Sequence, residues 1–239
     1  MEIKPMIHKA KYTYEDFLEI IKALRAPEGC PWDREQTHDS LRPCMLEEAY
    51  EFISSVRIWE ETGSADNMCE ELGDLLLQIV MHSEIADEEG LFSMEDVVNE
   101  VATKMVRRHP HVFGDVEADT SEQVLKNWDE IKKKEKEGKE WIESPLREIP
   151  PELPSLTRAP KVLKKIDKLY EKGNDYETSL HNLQRNVERI SCEQDEQRIS
   201  ETIGEILLNL SDISRIKKLP LEQILNDKIE DLIERFENQ

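Results

Sequence analysis

The stretch EELGDLLLQIVMH, residues 70–82, decides the fold of this chain. Placed at about 100° per residue, Leu72, Leu75, Leu76, Leu77, Ile79, Val80 and Met81 spread almost all the way round a helix, and Ile85 extends the pattern. A helix that is apolar on every side belongs in an interior. Yet Glu71, Asp74, Gln78 and His82 fall in one narrow stripe, with Glu70 off it. Upstream, LEEAYEFISS at 46–55 sets carboxylates among apolar residues in the same way. Met45, Ala49, Phe52, Ile53 and Val56 share a face, Glu48 lies at its edge, Glu51 sits beside Glu48, and Glu47 points further out.

Outward from these two segments the same period recurs. Residues 13–25 read as a helix. APEGCPWDREQTHDS, with two prolines and a glycine, reads as a loop. The second helix runs from about Ser40 to Thr62. Ser64 is the expected N-cap of the third, which runs to about Glu89, where Gly90 suits a C-terminal stop. Ser93 opens the fourth, SMEDVVNEVATKMVRRH. PHVFGDVEAD is expected to be loop. Thr120 and Gln123 have capping-box spacing before VLKNWDEIKKK. Gly138 and five prolines, Pro145, Pro150, Pro151, Pro154 and Pro160, then interrupt the pattern. Further helical segments follow at 156–172, 177–191, 198–214 and 221–236. The expectation is an all-α chain of two helical bundle units: 1–140, a proline-rich linker at 141–155, and 156–239.

Composition narrows the function. With 8 glycines and few aromatics in 239 residues, a sheet-rich fold with many tight turns is disfavoured. A formal net charge of −21 repels nucleic acid and anionic membranes at long range, so neither is an expected partner. An anionic substrate would need a local inversion of sign, for which a bound divalent cation is the usual device. Cys30, Cys44, Cys69 and Cys192 form no C-x-x-C pair, which fits a reducing cytoplasm better than a disulfide framework or a zinc site. No apolar run reaches 18 residues and the N-terminal segment lacks a secretory apolar core, so the expected location is cytoplasmic.

A single E-x-x-D is more often a solvated helix edge than a site. Two carboxylate pairs on neighbouring helices, one of them in an otherwise apolar helix, change the weighing. Buried carboxylates are costly to keep ionised without partners, and four converging ones repel one another. A divalent cation resolves both problems. Oxygen ligands favour Mg²⁺, Mn²⁺ or Ca²⁺ over zinc, and the glycine-containing Ca²⁺ loop pattern is absent. The rival is a di-iron carboxylate bundle, which needs Glu-x-x-His from two helices. The one such spacing, Glu35 to His38, falls in the predicted loop. A helical interaction or regulatory protein without catalysis is the other competing class. His109 and His111 flank Pro110 at a spacing that also hints at metal, against a plainer role in loop packing.

In order along the chain stand GCPWDREQTHDSL, LEEAYE, EELGDLLLQIVMHS and KMVRRHPHVFGD. This set resembles the MazG family of nucleoside triphosphate pyrophosphohydrolases, all-α enzymes with an EExxE motif followed by ExxD. Here the motifs read Glu47-Glu48-Ala49-Tyr50-Glu51 and Glu71-Leu72-Gly73-Asp74. Trp32, Asp33, Gln36 and His38 match the family's loop signature. Cys44 departs from it where an aromatic residue is usual. The resemblance implies that Glu48, Glu51, Glu71 and Asp74 ligate Mg²⁺, with Mn²⁺ an alternative, and carry the catalysis. It places Glu47, Lys104, Arg108 and Lys132 with the substrate, the three cations near the phosphates, and Trp128 against the base. Lys104 and Arg108 are spaced i,i+4, as are Trp128 and Lys132, so each pair shares a helix face. The implied reaction converts a nucleoside triphosphate and water to monophosphate and pyrophosphate, in the service of nucleotide-pool housecleaning. A homodimer is also implied, with an active site completed by a second chain.

Residues 154–239 resemble the family's second copy of the same unit. RNVER (185–189) aligns with EExxE and TIGE (202–205) with ExxD. The metal positions become Asn186, Arg189, Thr202 and Glu205. One carboxylate in four survives, so this copy is expected to be degenerate and without metal. Glu205 is within sequence reach of an ion pair with Arg189.

Overall fold

The structure is a computed structural model that describes residues 9–118, 120–135 and 144–237. The chain is all-α, and no strand occurs among the described residues. It divides into two compact units, Met1–Glu135 and Lys136–Gln239.

In the first unit, α1 (Tyr14–Arg25) starts at a reciprocal cap. The Asp16 amide donates to Thr13 Oγ1 and the Thr13 amide donates to Asp16 Oδ2, so two orphan donors of the first turn are satisfied. α5 (Met94–Arg108) opens with the same device on Ser93 and Asp96. α3 (Arg42–Thr62) ends at Gly63, whose φ of 74° is the left-handed conformation that glycine adopts without strain. α4 (Asp66–Glu88) is the oily helix and α3 packs along it. Ile21, Leu41, Val80, Met81 and Ile85 form the core, with Phe17, Leu18, Leu24, Leu76, Leu77 and Met94 against them. These residues come from α1, α4, α5 and the approach to α3, so burying one stripe of α4 gathers the unit around it.

Two segments expected to be loop contain short helices. Pro31 and Pro110 each occupy the first helical position, where a missing amide hydrogen loses nothing, and α2 (Pro31–Glu35) and α6 (Pro110–Phe113) follow them. Arg25 anchors the first of these. Its Nη1 donates to the carbonyls of Asp33 (2.5 Å) and Gln36 (3.2 Å), while Nε and Nη2 bind Glu88. Ser64 does not cap α4. The cap position is Ala65, while Ser64 Oγ accepts from the Asp66 amide at 3.4 Å and donates to the Asp66 carboxylate at 3.2 Å. α7 (Ser121–Lys134) closes the unit against α5, with the Gln123 amide donating to Thr120 Oγ1.

The second unit holds α8 (Ser155–Tyr170), α9 (Tyr176–Cys192), α10 (Glu196–Lys217) and α11 (Leu221–Glu237). Pro160, counted among the linker prolines, lies inside α8. Gly138 and the proposed boundary at 140/141 lie outside the described residues. Asp175 and Asp195 cap α9 and α10 by accepting the amides of Thr178 and Arg198. α9 packs on α10, and much of what they bury is polar: Ser179, Asn186, Thr202, Asn209, Ser211, Asp212 and Ser214.

Candidate active site

α3 and α4 present their carboxylates to one another. Glu48, Glu71 and Asp74 each offer an oxygen within 4.8 Å of the others'. The i,i+3 spacing of Glu71 and Asp74 sets them one above the other on α4, and the packing of α3 brings Glu48 across from them. Glu71 is the deepest, at 9% exposure. One of its oxygens, Oε1, accepts a 2.7 Å hydrogen bond from Asn67 Nδ2, one turn earlier on α4. The other, Oε2, is buried with no partner.

The charges are felt across the cluster. Burial, then the charges of Asp74, Glu51, Glu71 and Glu47, push the Glu48 carboxyl above its ordinary range. Glu51, although exposed, is pushed the same way by desolvation and then by Glu71 and Glu47. Carboxylates whose charges raise the proton affinity of Glu48 and Glu51, around an orphaned buried oxygen, suit a hard divalent cation. The donor set is oxygen throughout, and no histidine joins it among the described residues. That leaves the di-iron pattern without support here, since Glu35 is exposed at the end of α2.

A second cluster joins α5 to α7. The Arg108 guanidinium lies 5.7 Å from the centre of the Trp128 ring, within cation–π range. His109 meets the same ring edge-on, with centroids 5.3 Å apart and planes at 77°. Its Nδ1 is 2.6 Å from the Met105 carbonyl, and it stacks obliquely on His111. His109 therefore packs the loop, and neither His109 nor His111 belongs to a metal-ligand group among the described residues. Lys104 is half-buried one turn before Arg108, and Lys132 is exposed one turn after Trp128. Among the described residues no hydrogen bond or ion pair links this cluster to the carboxylates. Both belong to the first unit.

Three partners escaped the sequence reading. Asn67 stands at i−4 from Glu71, a spacing that could have flagged it. His38 Nδ1 lies 2.8 Å from His82 Nδ1, with the rings stacked at 4°. Burial and His38 together push His82 below its ordinary value of 6.5. This contact spans 44 residues and carries no local signal. The third is Glu135, which takes both Arg107 and Arg108. Of the loop signature, Trp32 is exposed, the Asp33 carbonyl accepts from Arg25, and Gln36 binds the Trp32 carbonyl and Ser40.

At and around the aligned positions of the second unit, several buried side chains bond within the unit. Thr202 Oγ1 donates to the Arg198 carbonyl, Asn209 Nδ2 to the Glu205 carbonyl, and Ser179 Oγ to Asp212 Oδ2, each at 2.7 Å. Arg215 fixes the far side of Asp212 at 2.7 Å. Glu205 and Arg189 are both exposed and form no ion pair with each other, so the anticipated pairing is not made.

A family model for a MazG nucleotide pyrophosphohydrolase domain matches residues 36–113, which hold every carboxylate of the cluster. The chain is similar to the nucleoside triphosphate pyrophosphohydrolase/pyrophosphatase MazG of Thermotoga maritima, 35% identical over 228 residues that span 95% of this chain and 86% of the relative. It is similar to the nucleoside triphosphate pyrophosphohydrolase of Escherichia coli K12, also 35% identical, over 83% of this chain and 76% of the relative. The enzyme of the same name from Mycolicibacterium smegmatis is 40% identical over 153 residues, 63% of this chain and 45% of the relative.

Proposed function

This chain belongs to the MazG family of nucleotide pyrophosphohydrolases, and from that premise we propose that Glu48, Glu51, Glu71 and Asp74 form the centre at which it works. The reaction is hydrolysis of a nucleoside triphosphate to monophosphate and pyrophosphate, that of a hydrolase acting on acid anhydrides. The observation that carries the site assignment is that Glu71, with a buried and unpartnered Oε2, and Asp74 meet Glu48 from a second helix.

The cluster suits Mg²⁺, with Mn²⁺ as the alternative oxygen-preferring ion. When bound, such a cation supplies charge for the phosphates and lowers the pKa of a coordinated water. The chain's own residues do the rest. Asn67 fixes the rotamer of Glu71, and Glu47 stands on the solvent side of Glu48 among the substrate contacts. Lys104, Arg108 and Lys132 offset phosphate charge. Trp128 offers a ring face to the base, a platform that tolerates any base. The cellular task that fits is removal of unwanted nucleotides. The four unpaired cysteines agree with a reducing cytoplasm, and no described helix is long and apolar enough to cross a membrane.

The second unit is best read as a degenerate, catalytically silent copy. Of its aligned positions, buried Thr202 binds the Arg198 carbonyl, and Arg189 and Glu205 are exposed. A homodimer is favoured by the apolar side chains that α3 and α4 leave exposed: Leu46, Tyr50, Ile53, Trp59, Leu72 and Ile79.

The deciding experiment incubates the chain with a panel of NTPs and dNTPs and Mg²⁺ and identifies the products. Monophosphate and pyrophosphate are expected. Diphosphate and phosphate would mean attack at another phosphorus, and absence of turnover would favour a helical interaction protein.

A further inference from the structure

Two ion pairs of the first unit, Arg42–Asp39 and Arg57–Glu61, join exposed side chains one turn apart. Glu135 is different. It follows the last residue of α7 and receives two arginines from the end of α5. Arg107 donates to Oε1 from Nε at 2.8 Å, with Nη2 at 2.7 Å. Arg108 donates to Oε2 from Nη2 at 2.6 Å and from Nε at 3.1 Å. The Glu135 and Arg108 side chains retain only 12% and 15% exposure. Their hydrogen bonds and charges hold the Glu135 carboxyl down at about 2, so it is ionised throughout the neutral range.

The fork has a geometric consequence. It engages the Nε–Nη2 edge of Arg108 and leaves Nη1 outside, while the same guanidinium lies beside the Trp128 ring. Trp128 and Glu135 are seven residues apart, about two turns, so they share a face of α7. α7 is thus fastened to α5 at two points on one side. Among its described apolar residues, Val124 and Ile131 are half-buried and Leu125 is exposed.

We infer that Glu135 is a positioning residue for the nucleotide, clamping α7 on α5 so that the Trp128 platform and the Arg108 cation are preset relative to each other. The inference rests on the assignment of Arg108 and Trp128 to the substrate made above. Glu135 itself touches no reacting group. Preorganisation of this kind shows in binding rather than in the chemical step.

The test is steady-state kinetics of the full chain with NTP and Mg²⁺ for Glu135→Gln and Glu135→Ala, beside Arg108→Ala and Trp128→Ala. Glu135→Ala should raise KM about tenfold, the lower end of what removing an orienting partner costs, with kcat nearly unchanged. Glu135→Gln, which keeps the shape and one acceptor, should fall between. A second readout follows the platform itself. In a chain whose Trp32, Trp59 and Trp141 are replaced by Phe, Glu135→Gln should make Trp128 more accessible to acrylamide quenching. A merely structural residue would lower Tm and leave KM and quenching alone, and that result overturns the inference. A lowered KM also overturns it, because Glu135 would then be competing with the phosphates for Arg108. Should Arg108→Ala and Trp128→Ala themselves leave KM unchanged, the substrate assignment fails and takes this inference with it. If they raise KM while the Glu135 variants do not, only the clamp fails.

Discussion

Glu71 has one oxygen held and one unheld. Asn67 donates to Oε1 at 2.7 Å while Oε2 is buried alone. A hydrogen bond to a charged group is worth about 1.5–3 kcal/mol, enough to favour one orientation of the Glu71 carboxylate. Asn67→Ala should therefore weaken divalent-metal affinity about 10- to 100-fold, as loss of an orienting partner does, while circular dichroism stays that of the parent chain. Calorimetric titration with Mn²⁺ checks this, and unchanged affinity would remove Asn67 from the site. The raised proton affinities of Glu48 and Glu51 give a second expectation at this scale. Groups whose folded-state pKa is raised bind protons more tightly when folded, so their contribution to stability is lost as pH rises through that pKa. A cation offsets the repulsion only when the carboxylates are ionised. The Mg²⁺-induced rise in Tm should accordingly be larger at about pH 7.5 than at about pH 5, where protons compete more strongly with the metal for Glu48 and Glu51. An equal rise at both values would place the cation elsewhere.

Helix α7 is the element whose role is most open to measurement. Its composition is charged, and its attachment to α5 runs through Trp128 and Glu135. Trp128 is half-buried, with Arg108 and His109 beside its ring. Stacking of a base on an aromatic ring is worth about 1–3 kcal/mol. Trp128→Ala should therefore raise KM roughly tenfold or more and change kcat little, because the base is remote from the bond that breaks. A variant with unchanged KM and a lowered Tm would make Trp128 a packing residue only.

Across the whole molecule the two units invite opposite expectations at aligned positions. Asp74→Asn removes an anionic member of the cluster and should reduce pyrophosphate release by at least about a hundredfold, or ~2.7 kcal/mol of transition-state stabilisation. Glu205→Gln should change turnover little. Glu205 is exposed, its aligned neighbours are Asn186, Arg189 and Thr202, and its carbonyl rather than its carboxylate is engaged, by Asn209. A well-folded but inactive Glu205→Gln chain would show that the second unit takes part in the chemistry. The apolar side chains exposed on α3 and α4 belong to the same scale. Light scattering at micromolar concentration should give a dimer, and Ile53→Glu should shift it toward monomer. A monomeric parent chain would refute that assembly.

The sequence by itself determined the helices, their order and the carboxylate stripe. Each is a local property. The 3.6-residue period of the apolar side chains, capping pairs such as Thr120–Gln123, and the i,i+3 spacing of Glu71 and Asp74 are all visible within a few residues. The ordered motifs from GCPWDREQTHDSL to KMVRRHPHVFGD carried the family with them. Local reading failed where two signals competed within one turn. Ser64 yielded the cap of α4 to Ala65, and proline-led segments expected as loop wound into α2 and α6. Tertiary structure alone decided which oxygen of Glu71 is unpartnered, that His38 stacks on His82, and that Glu135 holds two arginines 27 and 28 residues away. Such pairings depend on how helices dock. Helix periodicity gives each face a character, but it does not specify which residue on one face meets which residue on the next.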